Sequence, residues 1–198
     1  MSAVCKAIIK LQDIIGDVDA YLTPADLTHS LGAIDHYTKL YNDGGFDQDR
    51  RSCQWSIYND RYGADSILGF AGEVLAIGLW NKQQANTTFC FGSGERDDEK
   101  AGMDVVVSNP SWKRPFVAQV KLINDADGHQ LRIRQRYIQY DPHKVHRFVL
   151  SDITHRKCIV VDYSKFQRKV YNALDDKDVG FIQRDELMSI PHVVSLSL

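Results

Sequence analysis

The chain has 198 residues, 43% of them hydrophobic and 25% charged, with a formal net charge of −2. That length suffices for one ordinary domain with a substantial core, and the composition is globular. The small net charge excludes a chain that is basic throughout, as a general polyanion binder would be. The charge is unevenly placed, however. Residues 113–169 hold 13 Lys or Arg against 5 Asp or Glu, whereas the rest holds 11 against 21. A basic stretch of this kind suits a polyanion on one face, and an unevenly charged solvated surface explains it equally well.

From the N-terminus, residues 3–15 and 24–42 have helical spacing, and Thr23 or Thr28 is placed to cap the second helix. The start lacks the basic, apolar and small-residue succession of a secretion signal. The longest apolar run, Ile67–Trp80, is interrupted by Glu73 and reads as too short and too polar to cross a bilayer. A soluble, cytoplasmic protein is expected. Cys5, Cys53, Cys90 and Cys158 are scattered without a C-x-x-C pair, so reduced and mostly buried thiols are expected rather than a zinc ribbon.

Residues 43–63 are polar and read as a loop, and 65–83 as a helix capped by Asp65 or Ser66. A short strand and a charged loop follow. Then come two strands joined by the turn "SNPSWKRP", a further alternating strand in "HQLRIRQRYIQY", a buried strand in "KCIVVDYS" and a helix in "KFQRKVYNAL". The order predicts an α/β fold with a mixed sheet flanked by helices. Residues 175–186 partly copy a calcium loop, but Lys177 and Val179 stand where oxygen ligands are needed, so a plain turn is the better reading.

The two joined strands contain polar groups in the wrong places for a core. Asp104 opens the first. Gln119 and Lys121 interrupt the second, and strand alternation puts both on one face, with Val117 and Ile123. Phe116, Ala118, Val120 and Leu122 form an apolar opposite face. Glu73 lies on a helical stripe with Phe70, Ile77 and Trp80, where a carboxylate requires a cation. Gly69 and Gly72 nearby are expected to permit close backbone approach. A carboxylate and an amide carbonyl are hard oxygen ligands suited to Mg²⁺, and a lysine beside them stabilises developing negative charge. An internal Asp–Lys or Glu–Lys pair is the bland alternative.

Asp104, fourteen residues, then Gln119-Val120-Lys121 resembles the D…(D/E)-x-K signature of the PD-(D/E)XK nuclease superfamily, the restriction-endonuclease-like fold. In that family a glutamate-bearing helix precedes the hairpin, as Glu73 does here. The resemblance covers roughly residues 65–165. It implies a Mg²⁺-dependent DNA endonuclease of restriction or phage-processing type, with Mn²⁺ as a substitute metal. By the same resemblance Glu73, Asp104, Gln119 and Lys121 are the catalytic residues. Metal would be held by Asp104, Glu73, the Gln119 side chain and the Val120 carbonyl. Gln119 stands where the family usually has an acid, so a non-catalytic DNA- or protein-binding relative is the alternative. The layout expected is one domain, with a helical region at 1–63, the core at 64–170 and a tail at 171–198. A homodimer is compatible with it.

Beyond Lys121, Arg132, Arg134 and Arg136 alternate onto one strand face with Gln130 and suit phosphates. His129 and Lys144 are further candidates for DNA contact. His143 and His146 read as surface histidines in a basic loop.

Overall fold

The computed structural model describes residues 1–43, 60–84, 88–91, 104–109, 111, 113, 116–123, 130–134, 146–175 and 177–198. Three long helices come first: α1 (Ala3–Val18), α2 (Pro24–Asn42) and α3 (Asp60–Gln83). The Ser2 hydroxyl accepts from the Cys5 amide at 3.1 Å and starts α1. Thr23 caps α2, accepting from the Asp26 amide at 3.1 Å and donating to the Asp26 carboxylate at 2.6 Å, with Pro24 in the first turn. Helix α3 begins five residues before Asp65, so Asp65 and Ser66 lie inside the helix and do not cap it.

The described strands are β1 (Thr88–Phe91), β2 (Val105–Ser108), β3 (Phe116–Leu122), β4 (Gln130–Arg134), β5 (Arg147–Asp152), β6 (Lys157–Asp162), β7 (Val179–Gln183) and β8 (Val194–Ser197). Between the last three run α4 (Tyr163–Leu174) and the short α5 (Arg184–Met188). Six strands form a mixed sheet in the order β1-β2-β3-β5-β6-β8, in which only β3 and β5 are parallel neighbours. Strands β4 and β7 form a separate antiparallel ribbon.

Strand alternation divides the core into two halves. Ala118, Val120, Val149, Cys158 and Val160 face α1 and α3. Phe148, Leu150, Ile159, Val161 and Ile123 face α4 and the ribbon, where Phe148 lies against Phe166 at 4.3 Å between ring centroids. The architecture is three layers: helices, sheet, then helix with ribbon. Each buried Val, Leu or Ile contributes roughly 1.5–3 kcal/mol of transfer free energy.

Several expectations change here. Residues 179–183 and 194–197 are strands and 184–188 a helix, so the segment read as a turn and tail completes both sheets. By length and composition alone Gly63–Gln83 is long and apolar enough to cross a membrane, which the reading of Ile67–Trp80 did not expect. Yet 67% of that window is buried inside the protein, against α1 and the sheet. The close helix approach falls at Gly78, where an added Cβ would collide with Val18. At Gly72 a Cβ would make ordinary contact with Leu122 (3.4 Å), and at Gly69 it would meet open space.

Candidate functional site

Strand β3 is paired over different parts of its length on its two sides. Toward β5 it pairs from Ala118 to Leu122. Toward β2 the pairing stops at Val105↔Ala118, and Asp104 lies just outside the strand. The Val120 amide N–H therefore donates to the Asp104 carboxylate, at 2.6 Å. The same carboxylate oxygen accepts from the Gln119 side-chain amide nitrogen. A carboxylate at the end of β2 thus caps the open edge of β3.

A cleft of about 290 Å³ opens at that edge. Glu73, Gly69 and Asp65 reach it from α3, Asp104 from the hairpin, Gln119 to Leu122 from β3, and Leu131 and Arg132 from β4. All four residues singled out for catalysis, together with Val120 and Arg132, line this one cavity. Gln119 and Lys121 project toward the ribbon layer while Glu73 comes from the helix layer, so residues from both sides of the sheet line the cleft where the β2–β3 pairing ends.

Gln119 is 4% exposed, and its side-chain oxygen is buried with no hydrogen-bond partner among the described residues. The assignment of nitrogen and oxygen follows from chemistry. Turned the other way, the amide oxygen would face the Asp104 carboxylate, acceptor against acceptor. An amide oxygen buried without a donor costs about 1–3 kcal/mol. It belongs to a residue lining a cleft that also carries Asp65, Glu73 and Asp104, and carboxylates with an amide oxygen are hard oxygen donors of the kind that fits Mg²⁺. Among the described residues no three His, Cys, Asp or Glu side chains group to hold a metal, so the set depends on this amide.

Glu73 acts beyond the cleft. The Tyr37 phenol on α2 is pushed above its ordinary pKa, first by burial and second by the Glu73 charge. The phenol and the carboxylate are close enough to feel each other.

The arginine strand is divided. Arg132 is exposed and at the cleft. Arg134 lies in β4 opposite Val179, while His129, Arg136, Lys144 and His143 lie outside the described residues. His146 is exposed, as expected of a surface histidine, and its Nδ1 accepts from the Val117 amide at 3.2 Å. Cys5 and Cys158 are free thiols. Burial pushes the Cys158 thiol up to about 12, so it stays protonated and unreactive.

Two features escape the sequence reading. Asp65 joins Gly69 and Glu73 at four-residue intervals on one face of α3, a spacing visible in the sequence but hidden by taking Asp65 as a cap. Asp152, wholly buried at the end of β5, pairs with Arg184 at 2.6 Å and His155 at 2.9 Å. Its partners are distant in the chain or set by a turn, so no local pattern announces them. Compared with known proteins, the chain matches no protein family, no curated protein and no solved structure.

Proposed function

We propose that the chain is a metal-dependent DNA endonuclease with a restriction-endonuclease-like core, hydrolysing phosphodiester bonds by water attack. The observation that carries this reading is the meeting of Glu73, Asp104, Gln119 and Lys121 in one cleft, with Asp104 fixing Gln119 so that its oxygen has no donor among the described residues. Asp104, Glu73, the Gln119 oxygen and the Val120 carbonyl would hold Mg²⁺, or Mn²⁺ in its place. The ion supplies positive charge to the phosphate and to the attacking water.

The chain's own groups do the rest. Lys121 stabilises the negative charge that grows on the phosphate and orients the water against it. Arg132 grips a neighbouring phosphate at the cleft mouth. Asp104 has two tasks, since the carboxylate that would take the metal also holds the Val120 amide and sets the amide of Gln119.

The amide at Gln119 favours a second reading, a DNA-binding relative that does not cut, because it removes one negative charge from the cation site. Supercoiled plasmid incubated with and without Mg²⁺, beside Lys121→Ala, decides. Mg²⁺-dependent nicking that the variant loses supports the nuclease. Intact but retarded plasmid supports the binding relative, and plasmid neither cut nor retarded rejects both.

A further inference from the structure

The β4–β7 ribbon carries a pattern of which the cleft chemistry uses only Arg132. Leu131 and Ile133 on β4 and Ile182 on β7 turn inward and are buried. On the outward face Gln130 stands across from Gln183, and Arg132 across from Phe181. Arg132 is exposed and lines the cleft. Phe181 is 50% exposed, an unusual place for a phenyl ring. Directly opposed residues of an antiparallel pair have Cβ atoms about 4.5–5.5 Å apart. Ring and guanidinium therefore form one patch at the cleft mouth. Beside it, the Gln183 amide donates to the Gln130 oxygen at 3.1 Å, an exposed pair that retains donor capacity on Gln130 and acceptor capacity on Gln183.

We infer that this face binds a single DNA strand, with an unpaired base stacked on Phe181 and the adjoining phosphate held by Arg132. The inference rests on the nuclease reading for the polymer and adds the substrate class: single-stranded or locally unpaired DNA, not continuous duplex. Stacked and paired bases offer no face to a side chain at a cleft mouth, whereas an unpaired base offers its π-face to any aromatic ring. Charge favours the ribbon over the other basic surface, on α4. There Lys165 and Lys169 are tied to Asp162 and Glu186, at 3.8 and 3.4 Å.

The test is a binding titration in EDTA, so that no cleavage intervenes. A strand carrying 2-aminopurine, alone or in a full duplex, is titrated with the parent, Phe181→Leu and Phe181→Trp. The leucine variant should lose about 5- to 150-fold in affinity for the single strand, the range for one stacked base. It should keep its affinity for duplex and lose the change in 2-aminopurine emission that the parent produces. Tryptophan should restore both. If the leucine variant binds the single strand as tightly as the parent does, or weakens equally on both DNAs, the inference falls and the nuclease reading stands. A parent that binds neither DNA overturns both.

Discussion

At the scale of the residue, the site turns on how Asp104 and Gln119 share a hydrogen bond. In Gln119→Glu the donor is gone and two carboxylates face each other in a partly buried place. With metal removed, the variant should be less stable than the parent by about 1–3 kcal/mol once both groups are ionised. Added Mg²⁺ should raise its thermal midpoint more than it raises the parent's, since two charges now attract the ion. A variant as stable as the parent in EDTA would show that the Asp104–Gln119 contact carries no weight. Glu73 allows a test independent of activity. Removing its charge in Glu73→Gln should lower the Tyr37 pKa, though not to the ordinary value near 10, because burial is the larger cause of the rise. Tyrosine-labelled NMR titration reads the shift directly. The same variant should cut less at limiting Mg²⁺ and still bind DNA.

At the scale of the element, β3 is the strand that makes the cleft, because Ala118–Leu122 pair with β5 on one side while on the other the pairing with β2 ends and a side chain caps the strand. Helix α3 owes its position to Gly78 against Val18. Gly78→Ala should cost about 1–3 kcal/mol through overpacking. Gly32→Ala, on an exposed turn of α2 with open space around it, should stabilise by about 0.5–1 kcal/mol, the usual gain of alanine over glycine in a helix. Denaturant titration of the pair compares seam with surface. The corner joining β5, its turn and α5 is held by Asp152. Burial raises that carboxyl, but the hydrogen bond from Arg184, those from the His155 amide and ring, and the Arg184 charge outweigh it and hold the pKa below the ordinary carboxylate value. A depressed folded pKa gives stability that is present above about pH 4 and lost as the pH falls through the folded value. Asp152→Asn should therefore be less stable than the parent at pH 7 and flatter in its stability profile below about pH 4. The elements legible in the sequence were α1, α2, most of α3, β1, the β2–β3 hairpin, β4, β6 and α4, each marked by its periodicity, its apolar run or its flanking turn residues. Strand β5 was missed because five of its six residues, Phe148 to Asp152, are buried, which erases the alternation that marks a strand. Strands β7 and β8 were missed because each is four or five residues long and takes its cover from distant partners, β4 and β6.

At the scale of the whole molecule, the cleft belongs to no single layer. Helix α3 lends Glu73, the β2–β3 hairpin lends Asp104, Gln119 and Lys121, and the ribbon lends Arg132. The sequence order of helix, hairpin and basic strand made this convergence legible in advance, since a hairpin brings Asp104 beside Gln119 by pairing alone. That β4 would leave the main sheet, pair with β7 and overhang the cleft was not legible, because ribbon pairing across some fifty residues has no local signature. The central claim, that these layers together cut DNA with the help of a metal ion, is tested most directly by the cleavage rate of end-labelled DNA at saturating Mg²⁺, for the parent and Lys121→Ala. Loss of a preorganised charge stabiliser predicts a fall of about 100- to 1,000-fold with DNA affinity in EDTA retained. A parent that leaves DNA intact at every Mg²⁺ concentration, or a variant that cuts as fast as the parent, would contradict it.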